Sequence, residues 1–539
     1  MTKFRRVEIY DATLREGAQA CEVAFSLQDK LRVTLKLDEL GVPFIEGGWP
    51  SSNPKDREYF KALKDISLSC SKVTAFGSTR RKGVSAQRDE SLQLIVESDV
   101  EWATIFGKSW DMHVTHVLCA SLEENLEMIA DSIEYLKEHG LNVIFDAEHF
   151  YDGFKANREY ALNVIKTAAE AGASRVVLCD TNGGTLPWEF VKITQEVTKM
   201  FVTPFGVHCH NDSGMAVANS LLAVVEGVLQ VQGTINGIGE RCGNADLCQV
   251  IPSLELKMGV KAVAGSLRKI SEVSSYIYQL TNLRPNPYQP YVGKYAFAHK
   301  GGVHIDAVLK VERSYEHVDP ASVGNTRIIA LSEVAGRAAI VAKARELGFE
   351  LNRDSEETTR LLNRVKWLEN MGYQLENVNG TFYMMLLEEL GLKMDVLKLI
   401  SWKTLVEGKN GEVVSESTVR IKVGDKLFHE ISEGDGPVHA QDMAIRKALI
   451  ESFPEIERVR LINYKVTTVD VHPGIDDKTG TGATVRVYIE FTDGRETWAT
   501  VGVSPNILKA TKEALLDGYS YYIHRTRLQK QTCRGGFEK

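Results

Sequence analysis

The 539-residue chain lacks the features that mark several large protein classes. No apolar run approaches the roughly 18 residues a membrane helix requires. The start, Met1-Thr2-Lys3-Phe4-Arg5-Arg6-Val7, enters a strand-like segment without an apolar signal core. Proline is scarce, at 14 residues, which argues against a long disordered or collagen-like segment. The eight cysteines are scattered and form no C-x-x-C pair, so they read as mostly buried free thiols of a reducing compartment. Basic residues are not in excess: 64 Lys+Arg stand against 72 Asp+Glu, a net charge of −8, unlike the basic face of a nucleic-acid binder. These absences predict a cytoplasmic protein with neither membrane nor nucleic acid as partner.

What is present is ordinary globular material, 43% hydrophobic and 25% charged. The length allows three or four domains, or one large barrel with appendages. The first half repeats a short β-branched run, a loop and a helical pattern. The runs are 7–11, 44–48, 73–77, 102–106, 142–146, 176–180, 205–210 and 232–236. Between them lie amphipathic stretches such as 27–40, 122–137 and 161–171. Eight strand–helix units in about 255 residues match a (β/α)8 TIM barrel. A doubly wound open sheet fits less well, because no G-x-G-x-x-G turn follows the first run. Residues 266–282 look helical, Pro285, Pro287 and Pro290 break the chain, and helical patterns run from the polar stretch 298–316 to about residue 395. From Ser401 two blocks share an order of strands, Gly-rich turn and helix: strand 418–423 with helix 439–452, then strands 461–471, 484–491 and 496–501 with helix 507–519. The expected organisation is a catalytic barrel over 1–265, a helical linker over 266–400 and an α+β regulatory domain over 401–530, with possible internal two-fold symmetry.

Barrel chemistry sits at the C-terminal strand ends, and here those ends are polar. The first run ends Asp11-Ala12-Thr13-Leu14-Arg15-Glu16, the fifth Asp146-Ala147-Glu148-His149, the sixth Asp180-Thr181-Asn182-Gly183, and the seventh His208-Cys209-His210-Asn211-Asp212. The eighth leads into Gly239-Glu240-Arg241-Cys242-Gly243-Asn244. His208 and His210 are two apart on a strand, so their rings project to one side. Barrel closure makes strands 7, 8 and 1 neighbours, so Glu16, His208, His210 and Asn244 can converge on a divalent ion, with Zn, Mn, Co and Mg all compatible. Arg15 is placed to stabilise an oxyanion or enolate. Glu148 suits proton transfer, or else a structural ion pair. Thr181 offers a hydroxyl to an anionic substrate, or is simply a turn residue. Trp49, Phe76 and Phe106 fall at or just past the ends of strands 2, 3 and 4, as pocket walls or as ordinary core aromatics.

The segments 11–19, 180–183, 208–212 and 239–245 together resemble the metal-dependent acyl-CoA condensing family of 2-isopropylmalate, homocitrate and citramalate synthases, to which hydroxymethylglutaryl-CoA lyase is related. The resemblance spans nearly the whole chain. Gly434-Asp435-Gly436-Pro437-Val438-His439-Ala440 is similar to the family's allosteric, dimer-forming domain, and 298–304 with 315–320 and Gly324-Asn325 is most similar to the longer (R)-citramalate synthase subgroup. The resemblance implies that Glu16, His208, His210 and Asn244 bind the metal, Glu16 standing where other members carry Asp. It implies that Arg15 is catalytic, Glu148 sits beside the reacting carbonyl and Thr181 contacts the substrate carboxylate. His304 and Tyr315 match linker residues that reach into the partner subunit's barrel. Asp146-Ala147-Glu148-His149 departs from the Ser-Pro-Glu of isopropylmalate synthases. The implied reaction joins acetyl-CoA to a 2-oxo acid, pyruvate on subgroup resemblance, in a homodimer regulated by isoleucine. The alternatives are a 2-isopropylmalate synthase acting on 2-oxoisovalerate, a lyase running the reverse reaction, and a non-catalytic 2-oxo-acid sensor.

Overall fold

A computed structural model of the protein describes residues 5–394, 396–409, 411–469 and 482–534. Contacts divide these residues into two units, 1–297 with 318–326 and 298–317 with 327–539. In the first unit, eight parallel strands close into a barrel in sequence order: β1 (Glu8–Asp11), β2 (Phe44–Gly48), β3 (Lys72–Ser78), β4 (Trp102–Lys108), β5 (Asn142–Glu148), β6 (Arg175–Asp180), β7 (Phe205–Cys209) and β8 (Gln230–Gly233). The strands are short and buried on both faces, as a parallel barrel demands. Inward residues Tyr10, Ala12, Phe44, Trp102, Ile144, Val177 and Cys179 pack in the lumen. Outward ones such as Ile9, Ile45, Val143 and Val231 pack with the surrounding helices. Helix Leu27–Leu40 shows how the sequence sets such a helix. Ser26 and Asp29 form a capping box, Val33, Leu37 and Leu40 recur at helical spacing on the buried face, and Gly41 ends it at φ 89°, where a Cβ would lie 1.9 Å from the Gly265 nitrogen.

Three expectations change. The eighth strand begins at Gln230 rather than 232, because Gln230 and Gln232 are both buried lumen-side residues that break the apolar pattern. The unit boundary lies at residue 297 rather than 265, since helix Ile270–Thr281 buries Ile270, Val273 and Ile277 in the barrel's outer core. Cysteine burial is the third. Of the seven cysteines whose side chains are described, Cys179, Cys209 and Cys248 are buried, whereas Cys21, Cys70, Cys119 and Cys242 are exposed; all seven are free thiols. The buried three sit on β6, β7 and helix Leu247–Pro252, while the exposed four lie in turns and loops.

The second unit opens with β9 (Ala298–His299) paired to β10 (Ile328–Ile329) and helix Gly302–Lys310 between them, where only a polar stretch was expected. Helices Arg337–Glu346, Glu356–Asn370 and Asn379–Glu389 follow. Two three-stranded antiparallel sheets come next, β11 (Leu397–Lys409), β12 (Glu412–Val423) and β13 (Lys426–Gly434) before helix Pro437–Ile450, then β14 (Arg460–Val469), β15 (Thr484–Thr492) and β16 (Thr497–Ser504) before helix Ile507–Arg534. The repeated order agrees with the expected internal similarity; β11 and β13 were not read as strands, and residues 470 and 471 lie outside the described residues. The core of this part takes Tyr383, Met384 and Leu387 from helix Asn379–Glu389, so it starts before residue 401. Among the described residues no helix is long and apolar enough to cross a membrane.

If helix Ile270–Thr281 belongs to the barrel, Ile277→Ala leaves a core cavity and lowers barrel stability by about 2–5 kcal/mol. Urea unfolding followed by tryptophan fluorescence measures this, and an unchanged midpoint would detach the helix from the barrel core.

Candidate active site

Barrel closure assembles the polar strand ends. β1 pairs with β8 from Glu8↔Gln230 to Asp11↔Gly233, and β8 pairs with β7 through His208↔Gln232. Just past this seam Asp11 accepts from the backbone N–H and hydroxyl of Thr13 (3.0 and 2.9 Å), and the Thr13 hydroxyl accepts from the Ile235 N–H at 2.9 Å. That knot sets the turn that carries Arg15 and Glu16. Beyond β7, His210 makes an isolated bridge to Asn244, so the Gly239–Asn244 turn folds back over the strand ends. A Cβ at Gly239 would lie 2.1 Å from Asn244 Nδ2, so any other residue there would push the Asn244 amide aside.

Glu16, His208 and His210 are buried, and each presents a ligand atom within 4.8 Å of the others, the one such cluster of His, Cys, Asp and Glu among the described residues. His208 Nε2 lies 3.4 Å from His210 Nε2, which lies 3.7 Å from Glu16 Oε1. Asn244 is also buried; its Nδ2 donates to the Ile238 carbonyl at 3.3 Å, while its Oδ1 has no hydrogen-bond partner. A buried amide oxygen without a donor costs about 1–3 kcal/mol, and a cation would satisfy it. Burial, reinforced by neighbouring His208, pushes the His210 pKa down to about 3, so its ring stays neutral. Burial alone would raise the Glu16 pKa, but Arg15, then His208 and His210, hold it below the usual carboxylate value. Two imidazoles, a carboxylate and an amide oxygen form a mixed N/O donor set that fits a divalent metal ion.

Arg15 lies between two carboxylates, paired with Glu16 and with wholly buried Glu46. Glu46 takes a second bond from Arg15 at 3.2 Å and one from the Tyr10 hydroxyl at 2.8 Å; that hydroxyl also lies 2.9 Å from those of Thr74 and Thr104. The guanidinium carbon stands 3.8 Å from the centre of the Phe76 ring, so the group is oriented on its face as well as in its plane. Phe76 and Phe106 stack at 5.6 Å and Trp49 meets both edge-on at 5.6 and 5.7 Å. All three line a cavity of about 210 Å³ together with Arg15, Glu16, His208, His210, Glu148 and Thr181. The aromatics are therefore cavity walls.

The other expected residues fall out as follows. Glu148 borders the cavity and pairs with Lys108. Thr181 borders it too; its hydroxyl accepts from the His149 N–H at 2.8 Å, which leaves its own proton available. Arg241 holds the Thr181 carbonyl at 2.7 Å and pairs with Asp212 at 2.8 Å. His304 and Tyr315 belong to the second unit, where their rings stack at 4.2 Å. Sequence reasoning missed Tyr10, Glu46, Lys108, Asp146 and Gln232. A signal existed for Glu46: a carboxylate inside a parallel barrel strand is buried and needs a cation, and Arg15 is the charge one strand away.

The HMGL-like family model matches residues 6–277, the homocitrate synthase post-HMGL domain-like model 291–372, and the LeuA allosteric (dimerisation) domain 379–523. The (R)-citramalate synthase of Sulfolobus acidocaldarius is 49% identical over 528 residues, covering 98% of each chain. That of Geobacter sulfurreducens is 46% identical, over 96% of this chain and 98% of its own. The 2-isopropylmalate synthase of Methanocaldococcus jannaschii stands further off, at 32% identity over 95% of this chain and 94% of its own.

The depressed His210 pKa has a measurable consequence in metal-free protein. The unfolded imidazole takes a proton near the ordinary value of about 6.5, whereas the folded one waits until about 3. The unfolded state thus binds more protons in that window, and stability is lost as pH falls from about 6.5 towards 3, with no contribution above it. The wild-type advantage in urea midpoint over His210→Asn should shrink between pH 7 and pH 5; a constant difference would contradict a neutral, buried ring.

Proposed function

This chain belongs to the (R)-citramalate synthases of the HMGL-like family, and from that premise we propose how its residues divide the work of joining acetyl-CoA to pyruvate. The reaction forms a carbon–carbon bond between the acetyl methyl carbon and the keto carbon, then hydrolyses the thioester: acetyl-CoA, pyruvate and water give (R)-citramalate, CoA and a proton. Glu16, His208, His210 and Asn244 would hold the divalent ion, whose chemistry when bound is that of a Lewis acid on the keto group. The observation that carries this reading is the buried Glu16–His208–His210 cluster facing the same cavity as Arg15.

Arg15 cannot lose its charge and is braced by Glu46 and Phe76. It is assigned to the charge that develops on oxygen during attack, where a preorganised donor is worth about 10²–10³ in rate. The Thr181 hydroxyl, its acceptor side already occupied by His149, donates to the pyruvate carboxylate. His304, with Tyr315 beside it, is assigned as the base for the acetyl methyl proton in the partner subunit's barrel, as the family resemblance implies, and Glu148 as relay; Lys108 pairs with Glu148 at the cavity edge. A methyl proton leaves, the enolate carbon attacks the keto carbon, and water then displaces the thiolate without a covalent protein intermediate. We assign the 379–523 domain to a homodimer contact and to feedback by isoleucine, the amino acid whose biosynthesis this condensation would begin.

Pyruvate presents only a methyl group, and the wall of Trp49, Phe76 and Phe106 that lines the cavity is assigned to excluding larger 2-oxo acids. Thiol release from acetyl-CoA should be fast with pyruvate, slow with 2-oxoisovalerate and abolished by a chelator; the reverse order would make the chain a 2-isopropylmalate synthase. Phe106→Leu should raise 2-oxoisovalerate turnover relative to pyruvate by about 10-fold, within the 1–3 kcal/mol available to one apolar contact. Isoleucine should lower the rate in a titration of the intact enzyme, and a flat response would remove it as effector.

A further inference from the structure

Three buried side chains on three strands form a line leading away from the donor cluster. His208 on β7 and Gln232 on β8 are register partners, so their side chains emerge side by side in the lumen. His208 Nδ1 lies 2.9 Å from Gln232 Oε1. The other end of the amide, Nε2, donates to Asp146 Oδ1 on β5 at 3.0 Å. All three are nine-tenths or more buried. Such pairing is not automatic in this lumen: Gln230, wholly buried two residues earlier on the same strand, has neither amide atom hydrogen-bonded.

We propose that Gln232 and Asp146 are positioning residues that lock the His208 ring in the tautomer able to bind a cation. A neutral imidazole carries one proton. The amide oxygen only accepts, so that proton must sit on Nδ1, and the Nε2 lone pair is turned towards His210 and Glu16. A reversed amide would set an NH2 against Nδ1, drive the proton to Nε2 and aim an N–H at the place the ion must occupy. The hydrogen bond from Gln232 Nε2 to Asp146 Oδ1 holds the amide in the first of these orientations. This arrangement orients the ring, as outer hydrogen bonds do for metal-binding histidines generally. The inference rests on reading Glu16, His208 and His210 as the metal site and adds the device that keeps one of its donors correctly protonated.

The test is Co2+ added to metal-free full-length protein, followed by visible absorption and by calorimetry. Gln232→Met fills the same space without hydrogen bonds and should weaken Co2+ binding about 10–100-fold. Gln232→Glu, which still accepts from Nδ1 and can share a proton with Asp146, should restore affinity to within several-fold. Asp146→Asn should bind like the wild type and Asp146→Leu should not. Wild-type affinity and an unchanged spectrum in Gln232→Met would overturn the proposal, as would Gln232→Glu binding no better than Gln232→Met. If Gln232→Met fails to fold, the Asp146 pair decides in the same way. Failure of the underlying reading looks different: the wild-type protein would not take up one Co2+ per chain, or His210→Ala would bind it equally well.

Discussion

The pairing of the first strand with the last is the constraint on which the site depends. Until β1 meets β8, Glu16 and the two histidines are separated by most of the barrel sequence. Once it does, β7, β8 and β1 lie side by side and their C-terminal ends deliver the donors to one place. The Asp11–Thr13–Ile235 hydrogen bonds sit at that seam, so the contact that closes the barrel also shapes the turn presenting Arg15 and Glu16. Folding and function share these few atoms. Bringing buried carboxylates and imidazoles together is unfavourable unless each is paired or neutral.

The electrostatics meet that condition by uneven sharing. One guanidinium serves two carboxylates, Glu16 towards the cavity and Glu46 in the lumen. The lumen carboxyls that lack a direct cation stay neutral more easily: burial, with Glu46 nearby, pushes the Asp146 pKa up to about 8, and burial pushes Asp11 up to about 7. His210 is held neutral by the same desolvation acting on a base. The cluster thus presents one carboxylate, a neutral His210 and the ring nitrogen of His208, an arrangement suited to a dication. On the other side of Arg15, Phe76 orients the cation and lines the cavity, so in the proposed reading one ring serves both charge placement and the choice of a small keto acid.

Much of the barrel was legible because its strands are short β-branched runs spaced by amphipathic helices; the ranges 27–40 and 44–48 coincide with the observed helix and strand. The polar strand ends pointed to Arg15, Glu16, Glu148, Thr181, His208 and His210, all of which border the cavity. What stayed hidden were polar residues inside strands. Tyr10, Glu46, Asp146 and Gln232 sit among apolar neighbours, and only the register shows that they face one another across the lumen. Gln230 and Gln232 also masked the start of β8. In the second unit, β11 and β13 escaped notice because they alternate charged and apolar residues on faces that are largely exposed, which weakens the apolar signal. Gly434 and Gly502 were expected in Gly-rich turns, but Gly434 ends β13 and Gly502 lies within β16, and their reason is steric: a Cβ would lie 2.4 Å from the Ala440 nitrogen or 2.1 Å from the Ala510 carbonyl oxygen, where each helix crosses its sheet.

The most direct check on the central claim is an anomalous-difference map, recorded at the metal's absorption edge from crystals of the full-length protein grown with its ion and soaked in pyruvate. The account predicts one peak per barrel, about 2.0–2.2 Å from a Glu16 oxygen and from one nitrogen each of His208 and His210, as expected for such ligands. A peak elsewhere, or an ion bound without both histidines, would contradict it.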